Sequence, residues 1–254
     1  MGQGIGPLAD GGVLAAARRV LPRVDLIGLR EDRTGGPLLA QLGVPAARVV
    51  TTGDDAVELA YELRGDAGGE GLGLNVRVAG YVQLTRDELA AIAAQIDSFV
   101  DGRRPPLIPV PTSRHAGEAD LDVARSIAAH VTAPLVESGV LDTPEAAVRQ
   151  VAHFRALVTG SYHAAVFALA QGIPAVCLAP NAYYLQKFEG LAALFGRGCF
   201  VVRRDFSGLA PALVEAWERA DDFREPLLAA AAAQVASGNA AYDRLKSFVH
   251  ANDD

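Results

Sequence analysis

Short apolar runs alternate with amphipathic segments along almost the whole chain, and this alternation restricts the fold more than any other feature. The runs at 24–29, 156–159 and 175–178 have the length and composition of buried strands. The segments between such runs carry apolar residues at helical spacing. Regular strand–helix alternation favours a mostly parallel sheet with helices on both faces. We therefore predict an α/β fold built from Rossmann-like, doubly wound parallel sheets.

Several residues mark where the predicted helices begin and end. Residues 85–88 have the pattern of a capping box, and 143–144 place a threonine cap before a proline. A short helix is expected with Pro37 in its first turn and Gly43 as its stop. The Ala-rich C-terminal region is expected to be helical and to break near Gly238.

A glycine-rich stretch divides the chain. We predict a partial N-terminal Rossmann-like domain at 1–64, a linker at 65–71 and a C-terminal Rossmann-like domain at 72–254. The first part supplies only about two strand–helix units, fewer than a nucleotide-binding-like domain usually has. It is therefore expected to expose an apolar sheet edge or face, which an upstream extension would cover.

The composition excludes several classes of protein. Half of the 254 residues are hydrophobic and the net charge is −7, which argues for a buried core and against a nucleic-acid binder. Cys177 and Cys199 are interpreted as core residues, and neither a metal nor a cofactor is expected. There is no signal region and no apolar run of about 20 residues, so the expected location is the cytoplasm.

The strongest local pattern lies at 158–169, where a buried strand turns directly into a helix. Ser161, Tyr162 and His163 stand at the start of that helix, where unpaired N–H groups and the helix dipole attract phosphate or carboxylate. His163 falls in the first turn, where it could exchange a proton with a ligand. The alternative is that Ser161 only caps the helix and His163 only packs.

Other cationic side chains stand near predicted strand ends. Arg77 and Arg30 close two strands, Arg114 and His115 follow a third, and Lys187 follows a fourth. Arginine binds carboxylate or phosphate through two parallel hydrogen bonds. Arg77 could instead be a surface residue at a strand end, and the acidic residues after Arg30 could neutralise it.

Six short blocks in this order resemble successive blocks of the polysaccharide pyruvyl transferases. They lie at 2–8, 29–44, 52–56, 74–77, 161–174 and 184–191. The block with Ser161-Tyr162-His163 is the most recognisable, and together the blocks cover nearly the whole chain.

The resemblance implies a two-domain fold like that of the GT-B glycosyltransferases. It also implies phosphoenolpyruvate as donor and a sugar or lipid-linked glycan as acceptor, joined as a pyruvate ketal. In the family, the residues matching Arg77 and His163 are associated with the donor. The chain departs from the family in two ways: Ser161 stands where an arginine is common, and the first block begins at residue 2 rather than well inside a domain.

These observations lead to one hypothesis and two rivals. In the hypothesis Arg77, Lys187 and the helix start at Ser161 hold phosphoenolpyruvate, and His163 acts as general acid or base. The first rival is a glycosyltransferase that uses a nucleotide-sugar, and the second is a truncated, non-catalytic protein that binds a glycan or a partner protein. A homo-oligomer and a peripheral position at the inner membrane face are both compatible with the sequence.

Overall fold

A computed structural model describes residues 2–6, 8–66, 68–76, 84–112, 120–137 and 141–250. The strands are β1 (Ile27–Leu29), β2 (Val49–Thr51), β3 (Gly71–Asn75), β4 (Leu107–Pro109), β5 (Phe154–Thr159), β6 (Ala175–Ala179) and β7 (Cys199–Arg203). The helices are α1 (Gly11–Val20), α2 (Asp32–Gln41), α3 (Ala56–Glu62), α4 (Arg86–Val100), α5 (Asp120–Ala128), α6 (Pro144–Val151), α7 (Tyr162–Ala170), α8 (Ala182–Phe195), α9 (Leu209–Glu218) and α10 (Ala220–His250).

The chain forms two compact units. The smaller comprises Met1–Glu58 with Ala232–Asp254, and the larger comprises Leu59–Ala231. This division differs from the predicted boundaries, because the end of α10 belongs with the N-terminal residues. Within the smaller unit, the Ser237 hydroxyl donates to the carbonyl of Thr51 at 2.7 Å. Such a contact between distant parts of the chain leaves no local pattern in the sequence.

The larger unit contains a parallel sheet with the strand order β4-β3-β5-β6-β7. Strands β3 and β6 are buried at every residue; β6 is accordingly a continuous apolar run, whereas β3 ends in the buried polar residue Asn75. The strand order reverses between β3 and β5, so this is the topological switch point of the sheet. In open α/β sheets ligands bind outside the carboxyl ends of the strands at such a point. The parallel α/β fold predicted from the sequence is confirmed.

The smaller unit is built on a two-stranded parallel sheet. Ile27 pairs with Val49, and Gln3 forms a bridge on the other side of β1. Ile27 and Leu29 pack with Leu39 from α2 in a small apolar core. The three residues of β2 are all partly exposed, and no residue of α1 is buried.

Two predicted helix boundaries were wrong. Helix α2 begins at Asp32, with Glu31 as its cap, so Pro37 lies inside the helix rather than in its first turn. Helix α10 continues through Gly238 instead of breaking there. A glycine costs a helix only about 1 kcal/mol, which the tertiary contacts on either side of it can offset. Gly43, at φ +80°, does end α2 as expected.

The predicted capping box at the start of α4 is confirmed. The Thr85 hydroxyl accepts from Glu88 N, and the Glu88 carboxylate accepts from Thr85 N. The Thr85 backbone hydrogen bond, aided by Arg204, lowers the pKa of Glu88.

We expect Thr85→Ala to lower the free energy of unfolding by about 1 kcal/mol at neutral pH, whereas Thr85→Ser retains the cap. Because the folded-state pKa of Glu88 is lowered, the ionised carboxylate stabilises the fold at pH values above its unfolded pKa, about 4.3 for glutamate. That stabilisation is lost as the pH falls through the lower folded-state pKa. Urea unfolding at several pH values measures both effects. If Glu88→Gln loses as much stability at acidic pH as the wild type does, the pH dependence does not come from Glu88.

None of the helices in the described part of the chain is both long enough and apolar enough to span a bilayer.

Candidate functional site

A cavity of about 550 Å³ opens where α7 and α8 begin in the larger unit. The helices follow directly from the carboxyl ends of β5 and β6, where an α/β sheet is expected to bind ligands. The residues around it are Ser161, Tyr162, His163, Asn181, Tyr183, Tyr184 and Lys187. The cavity therefore brings together four predicted site residues: Ser161, Tyr162, His163 and Lys187.

Two helix N-termini border this one cavity. Ser161 caps α7, with its hydroxyl accepting from Ala164 N at 3.5 Å. Asn181 caps α8, with its side-chain oxygen accepting from Tyr184 N at 3.1 Å. Serine and asparagine are favoured caps because their short side chains reach these backbone donors. Each N-terminus carries a partial positive charge, so both favour an anion in the cavity.

His163 is the second residue of α7, and its side chain is exposed. Its ring lies edge-to-face with Tyr162 at a centroid distance of 5.8 Å and tilted towards Phe167 at 6.4 Å. The neighbouring rings limit how the imidazole can turn while leaving it open to the cavity. A histidine in this position can exchange a proton with a bound ligand.

Lys187 adds a full positive charge, which aromatic rings surround. Its Nζ lies 5.2 Å from the ring centroid of Tyr162, 4.9 Å from that of Tyr183 and 5.9 Å from that of Tyr184. Within the described residues no carboxylate forms an ion pair with it. Ring faces stabilise a cation without cancelling its charge. Lys187 therefore keeps its charge available for an anionic ligand.

Ser161 is buried, with 3 % of its surface exposed. Its N–H donates to Thr159 Oγ1 at 2.8 Å, and its hydroxyl lies 3.2 Å from Thr112 Oγ1. The hydroxyl also accepts from Ala164 N, so the described hydrogen bonds of Ser161 are all made with other residues of the protein. Direct contact between Ser161 and a ligand remains a prediction, whereas its capping role is an observed one.

Sequence reasoning assigned no role to Asn75, Thr159 and Asp120, which lie behind Ser161. Asn75 ends β3, Thr159 ends β5 and Thr112 follows β4, and these strands are neighbours in the sheet. Hydrogen bonds link all three residues to Asp120, Thr159 through Asn75. Carboxyl ends of adjacent parallel strands meet at one edge of a sheet. The recurrence of a polar residue at those ends was therefore a usable signal.

Of the remaining predicted residues, the structure describes Arg30 alone. Arg30 belongs to the smaller unit, where its guanidinium lies 3.5 Å from Asp54 Oδ2. Asp54 is therefore one carboxylate partner of Arg30, and the carboxylate of Glu31 caps α2. Arg77, Arg114 and His115 lie outside the described residues.

Among the residues that the structure describes, no three or more His, Cys, Asp or Glu side chains are grouped so that they could hold a metal ion. Cys177 is buried in β6, and burial raises the pKa of its thiol. Cys199 is partly buried in β7.

Solved structures with a similar fold include enzymes that act on sugars. A putative UDP-N-acetylglucosamine 2-epimerase from Listeria monocytogenes aligns over 91 % of this chain and 60 % of its own, with 14 % identity and a TM-score of 0.57. The calicheamicin glycosyltransferase CalG4 aligns over 97 % and 61 %, with 18 % identity and a TM-score of 0.50.

A structure of accessory secretory proteins 1, 2 and 3 from Streptococcus pneumoniae aligns over 93 % of this chain and 46 % of its own, with 12 % identity and a TM-score of 0.58. The chain thus spans between about half and three fifths of the length of these three solved chains. At these identities the similarity shows the fold alone, and it confirms the GT-B-like, Rossmann-type class.

No curated protein matches the chain. A family model does match: that of the polysaccharide pyruvyl transferases, over residues 1–181 of the 254. The match includes the helix start at Ser161 to His163 and ends at Asn181, the cap of α8. Because it covers well over half of the sequence, the chain belongs to the polysaccharide pyruvyl transferase family.

Proposed function

We propose that this protein transfers a pyruvyl group from phosphoenolpyruvate to sugar hydroxyls, forming a pyruvate ketal on a cell-surface or exopolysaccharide precursor. The observation that carries the proposal is the cavity itself. Two helix N-termini and the cation of Lys187 converge on it, and no described carboxylate pairs with that cation. Phosphoenolpyruvate carries a phosphate and a carboxylate, and its two anionic groups match these separate positive features.

The proposed reaction begins with protonation of the methylene carbon of phosphoenolpyruvate, which makes the adjacent carbon electrophilic. A sugar oxygen bonds to that carbon, and its hydroxyl proton passes to a base. The bond between the carbon and the phosphate oxygen then breaks, and inorganic phosphate leaves. A second sugar hydroxyl adds in the same way, losing its proton, and closes the ketal.

In this reaction His163 is the proposed general acid or base, because its exposed imidazole stands at the cavity. Lys187 and the two helix N-termini are proposed to hold the donor and to stabilise charge on the leaving phosphate. We retain Arg77 as a predicted donor ligand on the family resemblance, and Arg114, His115 and Arg30 as predicted substrate contacts.

The second candidate is transfer of a sugar from a nucleotide-sugar. Ser161 stands where the family commonly has arginine, and its hydroxyl bonds into the protein. Besides the imidazole of His163, Lys187 is therefore the basic side chain in the described wall of the cavity. A diphosphate could occupy the same two helix N-termini.

Incubation with phosphoenolpyruvate and nitrophenyl or lipid-linked sugars distinguishes the candidates. We expect a product whose mass corresponds to a pyruvate ketal, together with release of inorganic phosphate. In a thermal-shift assay phosphoenolpyruvate at one hundred times its Kd should stabilise the protein by about 2.7 kcal/mol relative to the ligand-free protein, and a nucleotide-sugar should stabilise it less. Stabilisation and turnover with the nucleotide-sugar alone would favour the second candidate. Binding of a glycan without conversion of either donor would favour a non-catalytic role.

A further inference from the structure

A buried hydrogen-bond network joins the ends of three strands to the start of α7. Asn75 closes β3 and Thr159 closes β5, both with no exposed surface, while Thr112 follows β4. The carboxylate at their centre belongs to Asp120, the first residue of α5, which is 1 % exposed. The network reaches the cavity through Ser161.

One oxygen of Asp120 accepts three hydrogen bonds. Its Oδ2 lies 3.0 Å from Asn75 Nδ2, 2.7 Å from Thr112 N and 3.0 Å from Thr112 Oγ1. A charged group away from water is stable only when such donors replace its hydration. The same carboxylate thus holds the end of β3 and the segment after β4 in a fixed relation.

These bonds also set the direction of a hydroxyl chain. Thr112 Oγ1 has a single proton, and the carboxylate of Asp120 competes for it more strongly than a neutral hydroxyl does. In the 3.2 Å contact between the two hydroxyls, Ser161 therefore donates its proton and Thr112 Oγ1 accepts it. The lone pairs of Ser161 are left for Ala164 N, which is the capping bond of α7.

We propose that Asp120 is a positioning residue for the anion-binding end of α7, acting through Thr112 on Ser161. Removing the carboxylate, or the hydroxyl that links it to Ser161, frees the Ser161 side chain to turn and shifts the first turn of the helix. The proposal builds on the proposed function only for the identity of the ligand, phosphoenolpyruvate. Its central test uses inorganic phosphate and does not depend on pyruvyl transfer.

The first test compares Thr112→Val with Thr112→Ser. Valine matches the shape of threonine but has no hydroxyl, whereas serine keeps the hydroxyl. We expect Thr112→Val to raise the Kd for inorganic phosphate roughly 10- to 100-fold, by analogy with the loss of a residue that orients a metal ligand. Thr112→Ser should keep an affinity close to the wild-type value. For phosphoenolpyruvate turnover the KM should rise more than kcat falls, because the reacting groups are retained.

The second test is a double-mutant cycle between Asp120→Asn and Ser161→Ala. If Asp120 acts through Ser161, the two losses of phosphate affinity are not additive. Asp97→Asn is the matched control, since Asp97 also accepts from the N–H and hydroxyl of one threonine, Thr132, at 2.7 and 2.8 Å. Neither of these residues borders the cavity, so this variant should leave phosphate affinity unchanged.

The outcomes separate the two proposals. Equal phosphate affinity in the wild type and Thr112→Val, or additive losses in the cycle, overturns the positioning role. Normal phosphate binding without ketal formation overturns the proposed function and leaves the positioning role standing. A wild-type protein that does not bind phosphate overturns the positioning role, whereas the proposed function is decided separately by whether the ketal forms. If Asp120→Asn does not fold, the Thr112 pair still decides the question.

Discussion

His163→Ala is expected to lower the turnover of pyruvyl transfer by roughly two to four orders of magnitude, the usual contribution of a general acid or base. The side chain is exposed at the cavity, so its removal should leave the packing of α7 intact. Donor affinity should change little, because Lys187 and the two helix N-termini are retained. Single-turnover kinetics and donor titration measure the two quantities separately.

His130→Ala is the matched control for that experiment. His130 is an exposed histidine after α5, with its ring nitrogen 2.9 Å from the carbonyl of Ser126, and it does not border the cavity. We expect its removal to leave turnover unchanged. Turnover like that of the wild type in His163→Ala would exclude His163 from the chemistry.

Lys187→Met is expected to weaken donor binding about 10- to 100-fold, which corresponds to the roughly 1.5–3 kcal/mol that a hydrogen bond to a charged group contributes. Methionine keeps an unbranched chain among the three tyrosine rings but removes the charge. The Kd for phosphoenolpyruvate should be higher in Lys187→Met than in the wild type. This difference should shrink at high salt, because salt screens the attraction between Lys187 and the donor in the wild type. Isothermal titration at two salt concentrations measures it.

Lys246→Met provides the control for the lost charge. Lys246 is an exposed lysine paired with Asp243 at 2.9 Å on α10, and an exposed pair of this kind contributes little. An equal loss of affinity in both variants would mean that net charge, rather than the position of Lys187, governs donor binding. An unchanged affinity in Lys187→Met would remove this lysine from the site.

Much of the fold was predictable because its causes are local. The capping box at Thr85 and Glu88 lies within four consecutive residues, and the strand that leads into Ser161 contains the buried apolar run 156–158. These patterns depend on the period of a helix or strand and on the reach of a short side chain. They were sufficient to place Ser161, Tyr162 and His163 at a helix start at the edge of a parallel sheet.

The partners of these residues depended on contacts between distant parts of the chain. Sequence reasoning could not place Arg30 beside Asp54, carry α10 through Gly238 or group the end of α10 with the N-terminal residues. Nor could it direct the hydroxyl of Ser161 towards Thr112 and away from the cavity.

Local sequence thus determined where each strand and helix forms and which residues stand at their ends. Tertiary structure decided which of those ends meet: β3 with the segment after β4 at the carboxylate of Asp120, β5 with β3 through Thr159 and Asn75, and α7 with α8 around the charge of Lys187. The physical reason is that periodicity and capping act within a few residues. Burial of a charge and pairing of strands instead act across the tens of residues that the fold brings together.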